Sequence, residues 1–297
     1  MGGDLVAMDS TGVKRKHYGA FREPRPYRAI AAVTTRADTV YLFDVRAWSW
    51  LLFDSTGQLI ARRAIRPDRT MRGFAARGGH LYSQLVPPGS KLGAPIETQI
   101  VQLDGESART VASPEASATQ TDSSDLVPMP PMFAAQPVWD IAADGRVIYS
   151  NGDTYTLLRY GATGTRESAT VVSGTRGRPV TPADMSREQA RRAGPGGAVD
   201  QAFAAAASRA APTFGAITDL RALAGGVVVI RRAPDADGDS VRWDLWISDR
   251  LAGAMRLGAA DHIIGGDSIR ILVISTTTST APSRLAWLAL GPLRRTP

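Results

Sequence analysis

The stretch Asp235-Ala236-Asp237-Gly238-Asp239 sets three carboxylates at alternate positions in a short polar segment, a pattern by which a loop gathers oxygen ligands round Ca²⁺. It departs from the helix-loop-helix calcium site, with Ser240 where that loop needs glycine and Trp246 where it needs a terminal glutamate. A hairpin loop whose Asp and Gly shape a turn accounts for the same residues. No cofactor is therefore expected, Ca²⁺ being the one ion the pattern admits. The three histidines, His17, His80 and His262, share no metal-binding spacing and are expected to pack or cap. Cysteine is absent, which excludes disulfides and thiolate chemistry. No G-x-S-x-G segment presents a nucleophilic serine. Gly225-Gly226 and Gly265-Gly266 precede strand-like rather than helix-like sequence, so they read as turns and not as phosphate cradles.

Local motifs thus supply no catalytic centre, and any site must be assembled from separate parts of the chain. The elements that would assemble it show in a repeat. Asp-Ser-Thr-Gly occurs at Asp9 to Gly12 and again at Asp54 to Gly57, 45 residues apart, an interval that points to propeller blades. From Ala29 the chain reads AIAAVTT, TVYLFDV, SWLLFDSTG and LIARRAI, four short β-rich runs divided by turn residues. A second set is MRGFAARG, HLYSQLVP, TQIVQLDG and ARTVAS, and a third is VWDIAADG, VIYSNGDT, TLLRYGATG and ESATVVS. The fourth is TDLRALAGG, VVVIRRAP, DLWISDRLAG and AMRLGA, with Asp249 and Gly253 marking its last turn. A fifth, DHIIGGDS, IRILVIST and RLAWLALG, lacks a fourth strand.

The Asp and Gly sit between third and fourth strands, where Asp bonds the backbone ahead of it and Gly accepts positive φ. A single four-stranded sheet has two faces to bury and is marginal alone; stacking such sheets round an axis buries both. The expected fold is an all-β propeller of four-stranded antiparallel blades in one domain, residues 1–297, with a β-sandwich as the alternative. The run before Ala29 aligns with the last two strands of a blade. Six blades are therefore expected, the N-terminal strands completing the ring beside the short C-terminal unit, or else sequence upstream supplying what is missing.

Two insertions interrupt the repeats. Residues 113–132 are rich in Ser, Thr, Pro and Asp and read as a flexible loop. Residues 181–211 read as helical, opened by Thr181-Pro182-Ala183-Asp184 with an N-cap, a proline at the first helical position and an acid at the third. Lying before the penultimate blade, this insertion is expected to be either a lid over the channel or a brace. The net charge of +7 is concentrated at the front, since residues 13 to 77 hold 14 Lys and Arg against 5 Asp and Glu. No nucleic-acid-reading motif accompanies this basic region, so nucleic acid is not the expected partner. No apolar run approaches a membrane span.

The run of blades, with WDIAADGRVIYSNGDTYTLLRYGATG and PTFGAITDLRALAGGVVVIRRAP within it, resembles bacterial six-bladed β-propeller proteins of the NHL-like type. The likeness covers nearly the whole chain, although the Gly-His and Trp-Asp signature of WD40 blades is missing. It implies an exported or surface-associated protein of uncharacterised function; as written the chain carries no targeting signal, so export requires an upstream leader. Propellers take ligands at the mouth of the central channel, which points to Trp48, Arg72, Trp139, Asp140, Asp219 and Arg221 as binding residues; for each tryptophan the competing role is packing between blades. The function expected is a monomeric, non-enzymatic binding or scaffold module for a peptide, glycan or protein. The alternative is a lactonase-like hydrolase or lyase using a metal on the axis.

Overall fold

A computed structural model of the chain describes residues 5–8, 14–18, 29–66, 71–85, 98–104, 107–114, 131–192, 207–208, 210–275 and 284–290. Strands β1 (Leu5–Met8) and β2 (Lys14–Tyr18) form a two-stranded antiparallel sheet, described by backbone alone. Blade one follows as β3 (Ile30–Arg36), β4 (Thr39–Asp44), β5 (Ser49–Phe53) and β6 (Leu59–Ala64). Blade two is β7 (Met71–Arg77), β8 (His80–Leu85), β9 (Gln99–Asp104) and β10 (Ser107–Ala112). Blade three is β11 (Val138–Ile141), β12 (Val147–Ser150), β13 (Thr154–Tyr160) and β14 (Arg166–Arg176). After helix α1 (Pro182–Arg192), blade four is β15 (Asp219–Ala222), β16 (Val227–Pro234), β17 (Ser240–Ile247) and β18 (Arg250–Gly258). Blade five has three strands, β19 (Asp261–Gly266), β20 (Arg270–Ser275) and β21 (Arg284–Ala289).

Each blade is a meander with its strands in chain order, and the first strands neighbour one another in the order β3, β7, β11, β15, β19. This is a β-propeller of five blades, not the six expected. The reason lies in the strand supply: among the described residues the N-terminal run contributes one hairpin, in which β1 and β2 pair with each other rather than with β21. Among the described residues the short last blade is therefore not completed by an N-terminal strand.

The core is a series of seams between blades, as expected for sheets that bury both faces. Phe43, Trp50 and Leu52 of blade one meet Leu81, Val101 and Leu103 of blade two. Tyr82, Ile100 and Val111 of blade two meet Ile141, Val147 and Tyr149 of blade three. Tyr155 and Leu157 meet Leu220, Ile230 and Trp246, and on the far side of blade four Val229, Val241 and Trp243 meet Ile263, Ile271 and Val273.

The expected turn chemistry is seen in blade one. Asp54 accepts the amide of Thr56 at 2.8 Å, its hydroxyl at 2.6 Å and the amide of Gln58 at 2.9 Å, while Gly57 takes φ +85°. The earlier DSTG copy lies outside the described residues. The last hairpin of blade four differs from expectation: its turn is Ser248-Asp249, both at positive φ, and Gly253 lies inside β18 opposite Leu245. Gly265 and Gly266 likewise fall at the end of β19, beside a bulge, rather than in a turn.

Helix α1 opens on the expected capping box. The Asp184 amide donates to Thr181 Oγ1 at 3.3 Å, and Asp184 Oδ2 takes the Thr181 amide at 2.9 Å. The remainder of that insertion from 193 to 206 lies outside the described residues, as does most of 113–132.

Candidate functional site

Arg77, the last residue of β7, reaches across the axis end. Its Nε donates to the Ile141 carbonyl at 3.0 Å and a terminal nitrogen donates to the Ala222 carbonyl at 2.6 Å. Asp140 completes the arrangement by accepting the Ile141 amide at 2.8 Å and the Ala222 amide at 2.9 Å. First strands have one edge with no neighbour in their own sheet, and these two side chains satisfy backbone groups on that edge. Burial raises the Asp140 pKa against the opposing pull of the two amides and of Arg221 and Arg77. Asp140 and Arg77 thus latch blades two, three and four together.

A second group lies on the face of blade four turned towards blade five. Asp219 accepts the Leu220 amide at 2.8 Å and an Arg221 terminal N–H at 3.3 Å. Arg231 stands opposite Asp219 in the strand register and donates to the Ala259 carbonyl at 2.7 Å. Burial lowers the Arg231 pKa, with Asp219 opposing, and its Nε is buried without a partner. The His262 pKa is lowered first by burial and then by Arg231, with Asp219 and Asp261 opposing, so its imidazole is neutral near pH 7. The Arg221 side chain is 43% exposed, with one ion-pair contact among the described residues. An exposed guanidinium, a partly exposed carboxylate and a neutral imidazole can exchange hydrogen bonds with a polar ligand. Among the described residues no three His, Asp or Glu side chains are grouped to hold a metal ion.

The structure therefore brings together three of the six expected residues, Asp140, Asp219 and Arg221, near the axis. Trp48 instead sits at φ +46° with its ring edge-on to Phe43 and Phe74, inside the seam of blades one and two. Trp139 packs in the seam of blades two and three and donates to Gln84 at 3.2 Å. Arg72 lies on β7 opposite Gln84, and its side chain lies outside the described residues. His80 bonds Gln102 at 3.0 Å across the sheet.

Sequence reading missed Arg77, Arg231 and His262 as partners in this site, although each is next to or within a run read as a strand. It also missed a cavity of about 380 Å³ between blades three and four, where Arg176, Arg232 and Arg242 surround Asp244. Nothing in local spacing could reveal it, because Tyr155 and Asp244 are 89 residues apart.

The acidic loop between β16 and β17 has a structural occupation. Asp235 accepts the Ser240 hydroxyl at 2.7 Å, and Asp237 accepts the Asp239 amide at 3.0 Å. Its backbone carbonyls face two arginines, one just before the insertion and one within it: Arg178 bonds the carbonyls of Pro234 and Asp235, and Arg187 bonds that of Asp237. Both arginines also bind Asp184, which Arg178 holds well below the usual carboxylate range. Helix α1 is thereby fastened as a brace to the loop that joins the second and third strands of blade four.

No family model matches the chain, and no curated protein matches it. Solved structures do. A streptogramin B lyase is similar at a TM-score of 0.42 and 11% identity, covering 97% of this chain and 76% of that one. A catalytically inactive virginiamycin B lyase from Staphylococcus aureus with quinupristin gives 0.42 and 10%, covering 91% and 84%. The β-propeller domain of Cps50 (Swd1) from Myceliophteria thermophila gives 0.42 and 11%, covering 98% and 81%. The propeller description itself rests on the strand topology set out above.

Proposed function

We propose that the protein is a non-enzymatic propeller module that recognises a peptide, glycan or protein at the channel end formed by Asp219, Arg221 and His262. The observation that carries this reading is Arg221: a 43% exposed guanidinium on a first strand whose one hydrogen-bond contact among the described residues is to Asp219 at 3.3 Å, which leaves most of its five N–H donors free of described partners. The adjoining Asp140 and Arg77 are committed to backbone groups of three blades, which makes the platform stiff and leaves recognition to the exposed neighbours. An exported, monomeric protein of a bacterial NHL-like kind, with no cofactor, belongs to the same proposal.

The test is a screen of immobilised peptides and glycans, followed by calorimetry on the hits with wild type, Arg221→Ala and Asp219→Asn. A true channel ligand loses about tenfold or more in affinity on Arg221→Ala, the loss of a charge-assisted hydrogen bond. Hits whose affinity is the same in all three proteins overturn the reading. Stoichiometric metal retained by the purified protein, with loss of binding on chelation, would favour the metal-dependent alternative.

A further inference from the structure

The cavity between blades three and four lies apart from the channel end, and its charges do not balance. The one carboxylate among its described lining residues, Asp244, is buried on β17. It accepts Arg242 Nε at 2.6 Å on one oxygen, and an Arg232 terminal N–H at 3.3 Å and the Tyr155 hydroxyl at 2.9 Å on the other. Three acceptor positions are thus filled out of about four that a carboxylate offers. Three guanidiniums line the same space, so the cavity carries two positive charges in excess.

The donors left over are specific. Arg242 spends only Nε on Asp244, Arg232 spends Nε on the Ala216 carbonyl and one terminal nitrogen on Asp244, and the Arg176 guanidinium makes no hydrogen bond or ion pair among the described residues. Arg232 is also fixed in place, its guanidinium lying 4.7 Å from the centre of the Tyr155 ring. Tyr155 is held in turn by a 2.8 Å bond from Trp246 Nε1. Val172, Leu251 and the Trp246 side chain supply an apolar wall beside this charge. Guanidiniums are weakly hydrated and suit oxyanions with two adjacent oxygens.

We infer that this inter-blade cavity is a binding site for a small organic phosphate monoester, its phosphate held by Arg176, Arg232 and Arg242 and its apolar body laid against Val172, Leu251 and Trp246. The charge decides among oxyanions. A phosphate monoester carries about −1.5 to −2 at pH 7 and neutralises the excess, whereas a carboxylate or a sulfate ester carries one charge and leaves one guanidinium unbalanced.

Calorimetry at low ionic strength with phenyl phosphate, phenyl sulfate, benzoate and inorganic phosphate tests this on the full chain. Phenyl phosphate is expected to bind at least about tenfold tighter than phenyl sulfate or benzoate, and tighter than inorganic phosphate, which lacks the body for the apolar wall. Binding should weaken as salt is added. Arg176→Gln alters an exposed side chain and Arg242→Gln removes one bond from buried Asp244; each should cost about fivefold to tenfold in affinity, with the double variant showing no saturable binding while keeping a cooperative thermal transition. Absence of saturable phenyl phosphate binding up to about 5 mM, weaker than −3 kcal/mol, overturns the proposal. Equal binding by the double variant, or no preference for the phosphate ester over the sulfate ester, does so as well.

Discussion

One strand of blade four serves two very different surfaces. On β17, Arg242, Asp244 and Trp246 face blade three, where a chain of hydrogen bonds runs from Trp246 through Tyr155 to Asp244. Val241, Trp243 and Leu245 alternate with them and face blade five, where they pack on Ile263, Ile271 and Val273. The strand period of two keeps the sets apart. The polar face is tied across the seam by the Trp246–Tyr155–Asp244 bonds, which fix the register and angle of the two blades; the apolar face contributes burial but leaves the Trp243 indole N–H without a partner among the described residues. Adhesion and alignment are therefore divided between the two sides of a single sheet.

Removing adhesion should have the largest effect. Trp243 is 0% exposed and is the largest fully buried side chain in the described core. Trp243→Ala leaves a cavity in the seam and is expected to cost about 3–5 kcal/mol. Chemical denaturation read by far-ultraviolet circular dichroism checks this. A cost below about 1 kcal/mol would mean that blades four and five are not held together by this face.

Removing alignment should cost less and should carry a pH signature. Tyr155→Phe strands the buried Trp246 donor and takes one bond from Asp244, a cost of about 1–3 kcal/mol. Burial raises the Tyr155 pKa above its ordinary 10.0, with the Asp244 charge adding to the rise. The folded state thus keeps this hydroxyl neutral where the unfolded chain ionises it. The associated stability is complete below pH 10 and is lost progressively as pH rises beyond it. Tyr149 is shifted the same way by burial in the seam of blades two and three. Tyr155→Phe should therefore reduce, without abolishing, the alkaline loss of stability, measured as the denaturation midpoint between about pH 8 and pH 11. An unchanged alkaline limb would show that Tyr155 is open to solvent and that the polar face is not closed.

These two faces also mark how far sequence alone reaches. Four short runs with turn residues between them located nearly every strand from Ile30 to Ala289, because β-rich runs and Asp or Gly turns are local signals. In blade four the third strand was expected to begin at Asp244, whereas it begins at Ser240; the Asp235–Asp239 segment obscured its start. That misplacement hid the alternation from Val241 onward, and with it the division between the faces. The blade count was lost for a different reason: a half-blade of sequence before Ala29 does not say which strand it will pair with. Asp140, Asp219 and Arg221 were legible as first-strand residues, yet their partners Arg77, Arg231 and Ala222 belong to other strands and needed the ring to meet them.

The smallest effect is expected where the comparison ends, on the outer strand of blade five. Every residue of β21 from Arg284 to Ala289 is exposed, although Leu285, Trp287 and Leu288 are apolar. Trp287 is 38% exposed and its ring is covered on one side by the Arg270 guanidinium at 4.5 Å. If nothing else packs on that strand, Trp287→Ala removes one cation–π contact and part of a solvent-facing ring, worth about 0.5–1 kcal/mol. Denaturation of this variant beside Trp243→Ala compares an edge strand with a seam using the same substitution. A loss on the edge of more than about 2 kcal/mol would show that β21 is a seam too, with a sixth surface against it in solution, because truncating an exposed side chain does not cost that much.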